Sequence, residues 1–158
     1  MREQTHTAIE AAQRFVEAIN RQDVKALAEL MTDDHRFTDS LGNSARGRES
    51  MREGWKLYFQ MVPDYRLDIE ETYVNDAAVV MLGEAGGTYS HRFESVTATG
   101  MPMVSPDGTS KVLNRWKTPA AVRARIEDGL VAEWRVYADN EPIRKLMRGE
   151  EGSVKSGQ

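Results

Sequence analysis

The sequence has no cysteine, which excludes disulfide bonds, thiolate metal sites and cysteine nucleophiles. It also has no long apolar run, so we expect no segment that spans a membrane. The polar stretch from Met1 to Thr7 lacks the apolar core found in signal peptides. A cytoplasmic protein without a membrane partner is therefore the simplest expectation.

Basic clusters and nucleotide-binding motifs are absent as well. The chain has 25 acidic and 21 basic residues, for a formal charge of -4, and no basic run could follow a phosphate backbone. No glycine-rich phosphate loop and no GxSxG motif is present, which disfavours nucleotide binding and serine hydrolysis. The three histidines, His6, His35 and His91, lack metal-ligand spacing. We expect no nucleic acid partner, no metal and no cofactor.

What the sequence does contain is typical of one globular domain. Of its 158 residues, 40% are hydrophobic and 29% are charged, which is enough to bury a continuous core. We expect a single domain over residues 1–148. The segment 149–158 has no large apolar residue apart from Val154, so a disordered tail is expected there.

The first third of the chain has helical periodicity. Thr7 and Glu10 have capping-box spacing, which predicts a first helix from about Ala8 to Asn20. Asp23 is well placed to cap a second helix. A third helix is predicted over Arg48 to Met61, because a proline follows it closely and cannot extend it.

Strand patterns account for most of the rest. Alternation from His35 to Asp39 predicts a short strand, followed by a turn over Ser40 to Gly47. Four longer strands are predicted over Tyr65 to Val74, Ala77 to Tyr89, Lys117 to Glu127 and Leu130 to Ala138. Asn75-Asp76 and Asp128-Gly129 are the expected hairpin turns.

The order of these elements predicts an α+β fold with segregated helices and strands. A curved, mostly antiparallel sheet wrapped over three N-terminal helices would bury the apolar faces of both layers. We expect the irregular segment 90–115 to form an extended hairpin or a loop over the mouth of a cavity. A short final helix is predicted over Glu141 to Met147.

Four stretches carry a resemblance to a known family. They are FVEAINRQD (Phe15 to Asp23), LMTDDHRFTD (Leu30 to Asp39), GRESMREGW (Gly47 to Trp55) and IEDGLVAEWRVYADN (Ile126 to Asn140). They resemble the nuclear transport factor 2-like superfamily, especially its SnoaL-like and ketosteroid-isomerase-like branches. The resemblance implies a cone-shaped, cystatin-like fold. Its members include isomerases, polyketide cyclases, epoxide hydrolases, dehydratases and proteins that only bind or dimerise, so the fold alone selects no activity.

Asp39 is the main catalytic candidate, because the resemblance places it where ketosteroid isomerases have their general base. Beside Phe37 and Trp55, an apolar setting would disfavour its charged form, which suits a base that takes a proton next to a carbonyl. The alternative is that Asp39 accepts backbone hydrogen bonds in the turn that follows it.

Apolar residues occupy other positions that are polar in the relatives. Phe15 stands where the resemblance implies a tyrosine donor of the isomerases, and Val122 stands near their second donor, an acid. Val136 stands where epoxide hydrolases and SnoaL-like members have an acid. Gly83 and Ala85 align near the additional Arg and Asp of the hydrolases. Together with Gly87, these small residues on one face of a strand would either enlarge a cavity or accommodate the curvature of the sheet or a neighbouring backbone.

Two histidines are candidate auxiliary catalytic groups, because histidine is the usual proton shuttle near neutral pH. His35 shares strand parity with Asp39, and His91 lies where the irregular segment begins. We also predict an aromatic pocket for a flat apolar ligand, although ordinary core packing gives the same pattern. The residues expected to contact the substrate are Phe15, Phe37, Trp55, Tyr58, Trp116, Val122, Trp134 and Val136.

Charged residues alternate with apolar ones on the last two strands. Glu133, Arg135 and Tyr137 are expected on the outer face of the sheet, next to Arg123 and Arg125. They predict an ion-paired homodimer interface of the kind that the superfamily often uses. A solvated sheet face is the alternative.

The sequence therefore predicts a SnoaL-like enzyme that isomerises, cyclises or dehydrates a small apolar molecule without a cofactor. In this prediction Asp39 is the base. The rival prediction is a non-catalytic ligand-binding or dimeric interaction module, which the apolar residues Phe15, Val122 and Val136 favour.

Overall fold

The computed structural model describes residues 2–89, 115–139 and 141. In chain order the elements are α1 (Arg2–Arg21), α2 (Val24–Glu29), β1 (Met31–Thr38), β2 (Ser44–Arg46), α3 (Arg48–Met61), β3 (Arg66–Asn75), β4 (Ala78–Thr88), β5 (Arg115–Glu127) and β6 (Leu130–Ala138). The six strands form one curved, unclosed sheet in the order β2-β1-β6-β5-β4-β3. All pairs are antiparallel except β1 with β6. The predicted fold class is confirmed.

The first helix is longer than the sequence predicts. It begins at Arg2, and His6 lies 3.1 Å from Glu10 one turn further along. Thr7 is therefore inside α1 and does not cap it. The prediction was wrong here because the polar residues before Thr7 continue the helix instead of preceding it. Among the described helices, none is both long and apolar enough to cross a membrane.

The other two helices begin where the sequence predicts. The side chain of Asp23 caps α2 by accepting a hydrogen bond from the backbone N–H of Ala26 at 3.0 Å. Helix α3 has the predicted bounds, and it follows β1 and β2 in the chain. Its buried face consists of Met51, Trp55 and Phe59, which recur at helical spacing.

The β1–β2 region differs most from the prediction. Strand β1 begins at Met31, because Met31 is fully buried and pairs with Val131 of β6. The pairing register between β1 and β6 shifts between Met31 and Arg36. The polar residues between these two positions belong to this irregular part of the strand. Strand β2 was predicted to be part of a turn. It is short, and among the described strands it pairs only with β1, with Phe37 opposite Ala45.

The four longer strands are confirmed with small shifts at their ends. Asp128-Gly129 forms the expected turn, with φ values of 51° and 78°. The other turn is centred on Asp76, with φ 55°, and Ala77, one residue later than predicted. Residues 90–114, the predicted final helix beyond residue 141 and the predicted tail lie outside the described residues, as does His91.

The core lies between the helices and one face of the sheet. Along β5 every second residue is buried, from Trp116 to Ile126, which confirms the predicted inward face. Asn20 of α1 fixes the helix to β3, because its amide accepts from Leu67 N at 2.8 Å and donates to Leu67 O at 3.0 Å. Gly83 accommodates the close approach of the neighbouring strand β3, since a Cβ there would overlap the carbonyl oxygen of Asp68.

Candidate functional site

Phe15 of α1 is the centre of an aromatic cluster that contains several predicted site residues. Its ring centroid lies 4.6 Å from Trp134, 6.0 Å from His35 and 6.4 Å from Trp55. Phe37 extends the cluster, with its centroid 6.0 Å from that of Trp55. Helices α1 and α3 and strands β1 and β6 thus bring these five predicted residues together.

A second run of rings extends from Trp55 towards the start of β5. The centroid of Tyr58 lies 6.2 Å from Trp55, that of Tyr65 lies 5.0 Å from Tyr58, and that of Trp116 lies 6.1 Å from Tyr65. Burial raises the pKa of Tyr65 to about 12. Burial, together with the neighbouring Tyr65, raises the pKa of Tyr58 well above its usual value. Both hydroxyl groups therefore stay protonated at neutral pH.

Two aromatic residues of this site were missed by the sequence prediction. Phe59 lies one turn after Trp55 on α3, and their centroids are 5.4 Å apart. The i, i+4 spacing is a signal that could have identified it. Tyr65 is placed by the turn that follows α3, where its N–H donates to Val62 O at 3.1 Å. No local pattern predicts that this turn directs a ring into the core.

His35 is fully buried and has one hydrogen bond to the backbone. Its Nδ1 lies 2.7 Å from Val131 O, which can only accept, so Nδ1 carries the proton. The lone pair of the neutral ring is then on Nε2. Burial lowers the pKa of His35, while the bond to Val131 and the charges of Glu133 and Asp34 oppose this shift. The ring is therefore neutral at pH 7.

Asp39 lies just after β1, in the turn that leads to β2. Its Oδ1 accepts hydrogen bonds from the backbone N–H groups of Leu41 and Asn43, each at 2.9 Å. Its Oδ2 lies 3.4 Å from the side-chain amide of Asn43. The backbone closes the same turn, since Asp39 N donates to Asn43 O at 2.9 Å. These contacts are the ones expected of an aspartate that stabilises a turn.

The remaining predicted positions are apolar or lie elsewhere. Val122 of β5 and Val136 of β6 are opposite each other in the sheet, with Val122 buried and Val136 half-buried. Neither can donate a proton. In the part of the chain that the structure describes, no group of three or more histidines and carboxylates could hold a metal ion.

Among the residues that the structure describes, three nitrogen atoms of the aromatic region are buried without a hydrogen-bond partner. They are Nε2 of His35 and the indole Nε1 atoms of Trp55 and Trp116. An unpaired buried polar group costs roughly 1–3 kcal/mol. Such atoms are the places at which a bound molecule would gain most from a matching polar atom.

A separate cleft lies at the opposite end of β5 from Trp116. Its volume is about 320 Å³, and its lining residues are Thr7, Ala8, Ala77, Ile126, Asp128 and Gly129. None of the predicted site residues belongs to this cleft. The predicted residues Phe15, His35, Trp55, Trp116 and Trp134, with the three nitrogen atoms named above, are buried in the interior instead.

The outer face of the sheet carries the predicted charged residues. Arg123 Nη2 lies 3.1 Å from Glu133 Oε1, and Arg125 Nε lies 3.7 Å from the same oxygen. The guanidinium carbon of Arg135 lies 5.0 Å from the centre of the Tyr137 ring. The single carboxylate therefore already has two arginine partners within the chain.

Solved structures with a similar fold show the fold class of the chain. A candidate SnoaL-like polyketide cyclase from Jannaschia sp. CCS1 is 18% identical, with a TM-score of 0.71 over 91% of this chain and 93% of the other. An LEH-like epoxide hydrolase from M. tuberculosis is 19% identical, with a TM-score of 0.68 over 92% of each chain. A protein with a ketosteroid isomerase-like fold from Catenulispora acidiphila DSM 44928 is 18% identical, with a TM-score of 0.62 over 81% and 84%. The chain is an α+β protein of the nuclear transport factor 2-like, ketosteroid isomerase-like fold.

The sequence itself identifies the family. The profile of the SnoaL-like domain matches residues 12–134, which is most of the chain. The chain therefore belongs to the SnoaL-like domain family, and the resemblance inferred from the sequence is confirmed. Among curated proteins, no sequence matches that of this chain.

Proposed function

We propose that this SnoaL-like protein binds a small apolar molecule against its interior aromatic cluster and transfers a proton within it, without a cofactor. Isomerisation, cyclisation and dehydration are the reactions of this kind. The observation that supports the proposal is the state of His35, a buried neutral imidazole with its lone pair on an unpaired Nε2. A base of this kind next to aromatic rings suits an apolar substrate.

The hydrogen bond to Val131 assigns the role of each ring nitrogen. Because Nδ1 donates to the carbonyl oxygen, Nε2 of His35 is the atom that would accept a proton from the carbon next to a substrate carbonyl. The electron pair of the broken C–H bond is delocalised onto the carbonyl oxygen, which gives an enolate. Return of the same proton from Nε2 to another carbon of the enolate completes an isomerisation. The carbonyl of Val131 supports the charged ring while it holds the proton.

This proposal gives His35 the role that the sequence analysis gave to Asp39. The carboxylate of Asp39 already accepts two backbone hydrogen bonds in its turn, as a structural aspartate does. His35 is fully buried and stacks against Phe15. The two residues can be compared directly, because Asn replaces each of them with a non-basic side chain that retains hydrogen-bonding atoms.

The test is catalysed hydrogen exchange. Cyclic ketones and 2-acetylnaphthalene are incubated with the protein in deuterium oxide, and NMR follows exchange next to the carbonyl. We expect His35→Asn to lower the exchange rate by about 100-fold or more, as for loss of a general base. Asp39→Asn, the matched control, should retain exchange. The opposite pattern would return the role of base to Asp39, and ketones that bind without any exchange would contradict the enzymatic function.

A non-catalytic ligand-binding module is the second candidate. Phe15, Val122 and Val136 stand where the resemblance implies polar catalytic groups, and the structure places Phe15 and Val122 in the buried core. Binding of an apolar probe without hydrogen exchange in the wild-type protein would favour this function over the first.

A homodimer through the outer face of the sheet is part of the same proposal. Two observations support it. Arg123 and Arg125 share the single carboxylate of Glu133, and Tyr137, a large apolar side chain, is 46% exposed. Tyrosine and arginine are enriched in protein interfaces.

A further inference from the structure

We propose that Trp55 and Trp116 determine ligand specificity by donating their indole N–H groups to oxygen atoms of a flat, neutral, conjugated ketone. The two indoles belong to one run of four rings, which we name the indole subsite: Trp55, Tyr58, Tyr65 and Trp116. This inference rests on the proposed function, because it specifies the class of ligand that the interior binds.

The first observation is that both indole N–H groups are buried without a partner. Trp55 is 6% exposed and Trp116 is 5% exposed, and neither Nε1 has a hydrogen-bond partner among the residues that the structure describes. Buried donors are nearly always satisfied in native proteins, because an unmade hydrogen bond is costly. Two such donors in neighbouring parts of one aromatic surface are therefore a signal of an absent acceptor.

The second observation is that the four rings are continuous. From Trp55 the centroid distances are 6.2 Å to Tyr58, then 5.0 Å to Tyr65, then 6.1 Å to Trp116. Edge-to-face geometry, with interplanar angles of 85° and 79°, holds the first two pairs in place. A surface of rings at these separations favours a flat ligand, whose faces and edges can pack against them.

The polar groups of the indole subsite determine which kind of ligand oxygen can bind there. The indole N–H groups only donate, and the hydroxyl groups of Tyr58 and Tyr65 remain protonated at neutral pH because burial raises their pKa values. The four rings carry no charge, so they offer no counter-ion to a buried carboxylate or ammonium group. A carbonyl oxygen meets both conditions, since it accepts hydrogen bonds and is neutral.

The experiment compares two ligands that differ in one oxygen. Calorimetry measures the Kd of 2-acetylnaphthalene and of 2-ethylnaphthalene, which have similar shapes. We expect the wild-type protein to bind the ketone about fivefold or more tightly, as for a neutral hydrogen bond in a buried site. Trp55→Phe or Trp116→Phe should reduce this preference, because the single oxygen of the probe needs a hydrogen bond from only one of the two indoles. The ratio of the two Kd values is the readout, because a change in the size of the pocket affects both ligands.

Tyr73→Phe is the control, since it removes a hydrogen-bond donor from an exposed ring of β3 that lies outside the aromatic cluster. It should leave the preference for the ketone unchanged, and thermal melting checks that all three variants are folded. Equal binding of the two ligands by the wild-type protein would overturn the inference while leaving the proposed function standing. Retention of the preference in both Trp55→Phe and Trp116→Phe would also overturn it. If neither ligand binds, both the inference and the proposed function fail.

Discussion

The buried histidine should make the stability of the protein depend on pH in a specific direction. In the unfolded chain His35 titrates near its ordinary value of 6.5, whereas in the folded protein burial lowers its pKa. Between these two values the unfolded state holds more protons than the folded state. The free energy of unfolding is therefore constant, for this residue, above about pH 6.5 and falls as the pH falls below it.

The size of the effect has an upper limit. One titrating group changes the free energy of unfolding by at most about 1.4 kcal/mol per pH unit. Acidification from about pH 6.5 to about pH 5 can therefore cost up to about 2 kcal/mol through His35. Glu133 and Asp34 act in the opposite sense, because their negative charges favour the protonated ring. Removal of the charge of Glu133 or of Asp34 should therefore make the free energy of unfolding depend more steeply on pH.

The measurement is urea unfolding of the wild-type protein and of His35→Asn between about pH 5 and about pH 8. Asn retains a donor for Val131 O but does not titrate, so the variant should lack the extra loss of stability at acidic pH. His6→Asn is the control, since the His6 side chain is 77% exposed and its replacement should leave the curve unchanged. Parallel curves for the wild-type protein and His35→Asn below pH 6.5 would refute this account of His35.

Three further predictions concern the fold and the assembly. Gly83→Ala should lower the free energy of unfolding by about 2 kcal/mol or more, because its Cβ would overlap the backbone of Asp68, and urea unfolding measures this loss. The matched change Gly54→Ala on α3, where a Cβ would meet only the Met51 side chain at ordinary contact distance, should instead raise stability by about 0.5–1 kcal/mol, and equal effects at both positions would contradict the reasoning. Asp23→Ala should cost about 1 kcal/mol through loss of the cap of α2, whereas an unchanged urea midpoint would show that the cap contributes nothing. Arg135→Glu should convert a dimer to a monomer in light scattering, and a monomeric wild-type protein would defeat the proposed interface.

Most of the fold could be predicted because its signals are local. Helix α3 has a clear apolar period and a proline after it, and β5 has a clean alternation that ends at the Asp128-Gly129 turn. The start of β1 could not be predicted in this way. Its sequence, with two consecutive aspartates, is typical of a helix end, and only pairing with distant Val131 makes it a strand.

The candidate site was predicted in its composition more than in its chemistry. Phe15, Trp55 and Trp134 were expected to line the interior, and large aromatic residues are reliable signals of burial. The hydrogen bond that fixes the tautomer of His35 joins residues far apart in the chain, so no spacing in the sequence indicates it. The position of Tyr65 depends in the same way on a turn whose direction the sequence does not specify.

The close approach of β3 to Gly83 has a consequence for how this family diversifies. The resemblance aligns an arginine of the epoxide hydrolases near Gly83, yet any side chain longer than hydrogen would collide there with the Asp68 carbonyl. Acquisition of epoxide-opening chemistry by this lineage would therefore require a change in the path of a neighbouring strand before the functional residue could be introduced. The backbone, as well as the lining of the interior, sets which reactions are accessible to the chain by single substitutions.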